Sequence, residues 1–203
     1  MKLYSNAFAP SPRRVRMFAA EKGLTLETVN LDFANNEHHT PAFLAINPVG
    51  DVPALVLDDG TVLTESLAIC RYLEELHPQP SLFGSSTLER ARIAECVDLL
   101  MFRLYVPATQ AFKHTHAYWA TRLTQVLPYG DVARALLREE FARIEGWLAD
   151  GRAFLVDDRF SMADIVAYTS VEFAKVGGVR VSEEHPHLKA YMARIGVRPS
   201  AKA

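Results

Sequence analysis

The sequence predicts an α/β half followed by an all-helical half, on three observations. Segments with a strand pattern occur only ahead of His77. The run His77-Pro78-Gln79-Pro80 then changes the texture of the chain, and Pro-rich stretches of this kind mark linkers. Beyond it, apolar residues recur only at helical spacing, as in Ile93, Val97, Leu100 and Leu104. The expected organisation is an α/β domain over residues 1–78, a linker over 79–86 and a helical domain over 87–203.

Each element has its own signal. Lys2–Ser5 is a short strand candidate, and Pro10 and Pro12 punctuate a turn after it. Residues 13–23 read as a helix with Val15, Phe18 and Ala19 on one face and Gly23 at its stop. Residues 24–31 alternate through Leu24, Leu26, Val29 and Leu31, an imperfect second strand. Thr40-Pro41 opens a short helix through Ala45. Residues 54–57 and 61–63 are strands joined at Asp59-Gly60, a hairpin signal, and residues 66–77 are helical. The order is βαβ, helix, ββα; the first two strands need a crossover helix, whereas the last two form a hairpin.

In the second half, Pro107 is expected to kink or end the helix that carries Ile93 to Leu104. Leu137, Phe141, Ile144 and Leu148 repeat the helical spacing up to Asp150-Gly151. Ser161-Met162-Ala163-Asp164 is a capping box that opens an apolar helix through Val176. A last helix covers about residues 187–195.

Composition narrows the function classes. The chain has 203 residues, 49% apolar and 23% charged, near the globular average. A formal charge of −2 gives no electrostatic case for nucleic acid or an anionic membrane. No apolar run reaches the roughly 18 residues of a membrane-spanning helix, and the N-terminus lacks a signal-peptide core. Cys70 and Cys96 have neither metal-ligand spacing nor a partner pattern. The cytoplasm is the expected location.

The chemistry concentrates at Gly50-Asp51-Val52-Pro53-Ala54-Leu55, followed by Thr64-Glu65-Ser66. Proline cannot donate a hydrogen bond, so Val52-Pro53 opens a strand rather than lying inside one. Most X-Pro bonds are trans; a cis bond here turns the N–H and C=O of Val52 outward, where an extended peptide can pair with them. Glu65-Ser66 then offers a carboxylate, a hydroxyl and helix N–H groups to the peptide's amino-acid end. The alternative is that Glu65-Ser66 only caps a helix.

With Asn47-Pro48-Val49-Gly50-Asp51-Val52-Pro53-Ala54-Leu55, Thr64-Glu65-Ser66-Leu67-Ala68-Ile69, Arg14-Val15-Arg16, Ala20-Glu21-Lys22-Gly23 and the Ser161 capping box, nearly the whole chain resembles a soluble glutathione transferase. The resemblance implies a thioredoxin-like first domain, glutathione as co-substrate, no metal, and a homodimer in which the first half of one subunit packs on the helical half of the other. It implies that Val52, with Pro53, pairs with the cysteinyl backbone of glutathione and that Glu65 and Ser66 hold its γ-glutamyl end. Glu37-His38-His39-Thr40-Pro41 matches a segment that reaches the glycyl carboxylate. His38 or His39 is the candidate, with His39 favoured because neighbouring side chains rarely point the same way.

The thiol-activating residue departs from the family pattern. Anchored on Arg14-Val15, the usual Ser or Cys falls at Ala9, whose methyl group can neither donate a hydrogen bond nor form a mixed disulfide. Ala9-Pro10-Ser11-Pro12 also stands where a dithiol motif would stand, without its sulfurs. Ser11 is one substitute, with an N-cap as its alternative role. Tyr4 is another, though a tyrosine on a first strand is more often core or wall. The third lies in the helical half: relatives without the N-terminal residue hold an activating water there, and the matching positions are Thr109 for their hydroxyl and Lys113 or His114 for their imidazole. His114 and His116 are not a metal pair, since i and i+2 lie on different helix faces. Phe8, Tyr105 and Phe112 are candidate walls for a small hydrophobic electrophile, expected between the halves, with Phe102, Tyr118 and Trp119 as further aromatic candidates. The function implied is addition of glutathione thiolate to such an electrophile. The alternatives are a non-catalytic ligand- or protein-binding module, and a glutathione-dependent isomerase or ether- or halide-cleaving enzyme.

Overall fold

The computed structural model describes residues 1–203. They form two compact units, Met1–Ser81 with Pro199–Ala203, and Leu82–Arg198. Residues 199–203, expected with the helical domain, belong to the first unit. In the structure Arg13 Nη2 donates to the Ala201 carbonyl at 3.0 Å, and Ser200 Oγ hydrogen-bonds Glu21, which ties this stretch to the first unit.

The first unit is the expected thioredoxin-like arrangement. Strands β1 (Lys2–Ser5), β2 (Glu27–Asn30), β3 (Ala54–Val56) and β4 (Val62–Thr64) form one sheet in the order β2-β1-β3-β4. β1 pairs parallel with β2 and antiparallel with β3, and β3 pairs antiparallel with β4. Leu3 opposite Leu55 faces the side covered by helices α1 (Pro10–Glu21) and α3 (Ser66–Leu76), which supply buried Val15, Phe18, Ile69 and Leu73. Tyr4 opposite Ala54 faces a smaller cluster with Leu31 and Phe43, the latter on α2 (Pro41–Leu44). Tyr4 therefore packs on Phe43, with ring centroids 5.5 Å apart.

α1 starts three residues before the position read from sequence. Pro10 and Pro12 are part of the helix, because a proline in the first turn gives up an N–H that has no helical partner anyway. Gly23 ends it at φ +67. Lys22 Nζ, fully buried, donates to the carbonyls of His77 at 2.7 Å and Pro80 at 2.6 Å and pairs with Glu74 at 2.5 Å. This ammonium is what seats the proline-rich end of the unit.

The second unit is all-helical: α4 (Thr87–Leu100), α5 (Val106–Thr115), α6 (Leu127–Leu148), α7 (Met162–Ala174) and α8 (Pro186–Gly196). Pro107 neither ends nor breaks the helix. The residues ahead of it, Met101–Tyr105, widen into a π-helical turn that leads directly into α5, which accommodates the missing N–H and the bulk of the ring. α6 begins ten residues before Leu137, again with a proline in its first turn. α7 is buried along nearly its whole length. Its Asp164, fully buried, closes the capping box with Ser161 N–H at 2.8 Å and also accepts from Leu155 N–H at 3.0 Å and Tyr191 Oη at 2.8 Å. No helix is long and apolar enough to cross a membrane.

Candidate functional site

The first unit brings the Val52 and Ser66 segments together at one end of β3, because β3 and β4 are antiparallel and Ala54 stands opposite Thr64. The Val52–Pro53 bond is cis. Pro53 is buried while Val52 is half-exposed, and no hydrogen bond of the chain uses the Val52 N–H or C=O. Both groups are thus left without a hydrogen-bond partner within the chain.

Glu65 follows at φ +63 and ψ 117. A non-glycine residue there is strained and is worth a functional explanation. Glu65 occupies the N-cap position of α3, yet its side chain makes no capping bond, and it is exposed. The capping alternative therefore does not describe it. Ser66 is buried at 4% exposure, and its Oγ accepts from Arg14 Nη1 at 2.9 Å.

Arg14 is the residue whose role the sequence reading missed. It is completely buried on α1, so a guanidinium charge sits directly behind Ser66, at the start of α3. The signal was available: Arg14 lies four positions before Phe18, on the apolar face of the helix.

His38 and His39 form a short 3₁₀ turn with Glu37. Their rings touch at 4.1 Å, and His38 also packs on Phe33 at 4.1 Å. The expectation that they diverge is corrected: a 3₁₀ turn brings both against one surface. His38 is half-buried and His39 exposed. A Cβ on Gly50, which has φ +76, would lie 2.8 Å from His39 Nδ1 and 3.2 Å from the His38 carbonyl. The histidine turn is therefore fitted to the loop that carries Val52. Gly50→Ala is expected to destabilise the unit by roughly 1–2 kcal/mol, from left-handed strain alone. It should also push His39 out of place, which a urea melt and a glutathione-binding isotherm measure together.

The thiol-activating candidates are not assembled in one place by any single element. Ala9 holds the N-cap position of α1 without a side-chain cap, so Ser11 is in the first helical turn and not the N-cap. Of Pro10, Ser11 and Pro12, only Ser11 carries an N–H. On α5, Thr109 Oγ1 donates to the Val106 carbonyl at 2.7 Å. His114 Nδ1 accepts from Val126 N–H at 3.1 Å, and its ring meets Tyr129 edge-on at 5.1 Å. Thr109 and His114 are five positions apart, about 140° around the helix, so they do not share a face. The neighbouring Lys113 lies over the Trp119 ring at 5.7 Å.

Among the aromatic candidates, Phe8 in the first unit is 91% exposed. In the second unit Tyr105 is half-buried on the π-helical turn. Phe112 is the centre of a ring cluster with His116, Tyr118, Trp119 and Phe173, at centroid distances from 5.0 to 6.2 Å.

Cys70 and Cys96 are both buried and free. Burial pushes the Cys70 thiol well up, and it pushes that of Cys96 up to about 12. The thiolate is the reactive form. Neither cysteine is expected to react with an aromatic disulfide reagent at pH 8 in the native protein, and both should react after denaturation.

A four-stranded mixed sheet with a cis-Pro loop facing a Glu-Ser corner, joined to an all-helical unit, defines the two-domain class built on a thioredoxin-like unit. The family profiles agree: "Glutathione S-transferase, N-terminal domain" matches residues 8–76 and "Glutathione S-transferase, C-terminal domain" matches residues 96–199. The chain belongs to the glutathione S-transferase family. It is 32% identical to glutathione S-transferase 2 of Saccharomyces cerevisiae, over 100% of this chain and 88% of the relative. It is 50% identical to maleylacetoacetate isomerase of Pseudomonas aeruginosa over 94 residues, 45% of this chain and 44% of the relative. Among solved structures, a glutathione S-transferase domain-containing protein of Marinobacter aquaeolei superposes with a TM-score of 0.90 at 36% identity, covering 98% of this chain and 99% of that one.

Proposed function

We propose that this protein binds glutathione and adds its thiolate to small hydrophobic electrophiles. The observation that carries the reading is the corner formed by Val52, Glu65 and Ser66: unused backbone groups at Val52, a strained Glu65 and a Ser66 held by buried Arg14. The cysteinyl backbone pairs with Val52 beside Pro53, the γ-glutamyl end is held at Glu65 and Ser66, and the glycyl carboxylate lies toward His39, with His38 behind it. Ser11 is the first candidate for the sulfur, because the N-terminus of α1 and one hydroxyl both favour a thiolate. Lowering a thiol pKa by one unit takes only about 1.4 kcal/mol.

We also propose a cytoplasmic homodimer. A depression of about 330 Å³ on the second unit is lined by Glu95, Asp98, Leu99, Phe102 and Arg103. Phe102 is 72% exposed there. An exposed aromatic ring among acidic and basic groups suits a face on the helical half that the first half of a second copy covers. Sedimentation should report a dimer, weakened by Phe102→Arg.

The test is a thiol titration of bound glutathione, followed by thiolate absorbance in wild type, Ser11→Ala, Thr109→Val and His114→Ala. A bound pKa well below that of the free thiol, restored to the free value by one substitution, supports catalysis and names its activator. Ala9 favours one other reading, a glutathione transferase-like module without catalysis. It predicts an unshifted thiol, or no retention on a glutathione column. The match to maleylacetoacetate isomerase keeps a glutathione-dependent isomerase open as the choice of electrophile, and the same titration serves it.

A further inference from the structure

We propose that Asn6 is the positioning residue of the thiol site: its carboxamide sets the β1–α1 loop and thereby aims the first turn of α1, with Ser11, at the glutathione sulfur. The inference rests on the transferase reading above.

Asn6 follows β1 directly and is 9% exposed. Its Oδ1 accepts from two backbone groups, the N–H of Phe8 at 3.0 Å and of Ala9 at 3.1 Å, and its Nδ2 donates to the Leu31 carbonyl at 3.0 Å, just past β2. The Asn6 carbonyl in turn accepts from Arg16 Nη1 at 3.2 Å, a nitrogen that also reaches Ser5 Oγ at 2.5 Å, while Arg16 Nη2 reaches the Ala7 carbonyl at 3.4 Å. One carboxamide and one guanidinium thus hold residues 5–9 from within.

An ordinary helix start does not need such an arrangement, because a Ser, Thr, Asp or Asn at the N-cap orients it. Here Ala9 has no acceptor, and Pro10 and Pro12 have no N–H. The orientation of the helix start must come from elsewhere, and Asn6 supplies it three residues upstream. Where Ala9 is pinned sets the backbone path into the first turn of α1, and with it the direction of the Ser11 N–H. Reactive geometry tolerates little error, since about 1 Å of misplacement can cost 100-fold in rate. The charged group held against the loop is Arg16, half-buried; burial, and after it the charge of Arg13, hold its pKa below the usual value.

The experiment compares wild type, Asn6→Ala and Asn6→Gln by titration of the bound glutathione thiol and by the pH profile of kcat/KM. Asn6→Ala removes both acceptor bonds to the N–H groups of Phe8 and Ala9. Asn6→Gln keeps a neutral carboxamide but displaces it by one methylene, so it carries the test if Asn6→Ala does not fold. Both variants are expected to raise the bound thiol pKa by about one unit, roughly tenfold less thiolate at pH values below the wild-type pKa. The kcat/KM profile should move to alkaline pH by the same amount, with the KM for glutathione little changed. A uniform loss of activity at every pH, with the thiol pKa of wild type, means that Asn6 is only structural and overturns the proposal. An unshifted thiol already in wild type overturns the transferase reading and this inference with it, so the two failures are told apart by the wild-type arm.

Discussion

Replacing Arg14 with alanine is expected to remove most glutathione binding and to destabilise the first unit. The side chain is among the largest fully buried ones in the protein. Truncating a buried group of this size costs roughly 3–5 kcal/mol through lost packing and the cavity left behind. Ser66 Oγ also loses the donor that holds it at 2.9 Å. On the proposed glutathione site, an unoriented hydroxyl and a missing positive charge beside Ser66 should weaken glutathione by roughly 100-fold, about 2.7 kcal/mol. Arg14→Met separates the two effects. An apolar chain of similar length refills the space, and such replacements of buried ionic groups are often nearly neutral for stability. Its melting point should recover while its affinity for glutathione does not. A methionine variant that binds glutathione as wild type does would show that Arg14 only fills space.

Asp164→Ala is expected to have the largest effect on the helical unit. The carboxylate receives Ser161 N–H, Ser161 Oγ at 3.2 Å, Leu155 N–H and Tyr191 Oη, and all of these donors are in the interior. Alanine leaves them without an acceptor, and each buried unsatisfied group costs about 1–3 kcal/mol. The loss of the cap adds about 1 kcal/mol. Even at the low end of that range the four donors and the cap total about 5 kcal/mol, comparable with the stability of a whole domain. The variant should therefore be found unfolded or molten in its helical half, by loss of near-ultraviolet circular dichroism above ordinary working temperatures. Asp164→Asn should fall between, since its amide nitrogen cannot accept. Burial holds the Asp164 carboxyl above its usual pKa. A raised acid pKa favours the protonated folded form, so this group does not drive acid unfolding: its contribution is fullest below the unfolded-state pKa and declines as the pH rises toward the folded one. If Asp164→Ala melts with wild type, the network is dispensable.

The linear sequence determined what depends on short-range chemistry. The short strand at Lys2–Ser5, the Asp59-Gly60 turn, the Ser161 capping box and the Val52-Pro53 strand opening each rest on residues a few positions apart, and each was legible. So were the two family motifs that bring Val52 and Glu65-Ser66 toward one corner. Tertiary packing decided the rest. Whether Pro107 ends a helix depends on whether the turn before it can widen, and the burial of Leu104 and Ala108 on either side holds that turn in place. Whether two adjacent histidines diverge depends on Phe33 and Gly50, which pack against them from elsewhere in the chain. Arg14 counts as a surface cation in composition, yet the sheet, α1 and α3 enclose it and make it the support of Ser66. Asn6 reads as a loop residue until Leu31 and the N–H groups of Phe8 and Ala9 converge on its carboxamide. The reason is common to all four cases. A side chain's role is set by the groups that replace its water, and those groups are brought to it by the fold from distant parts of the sequence.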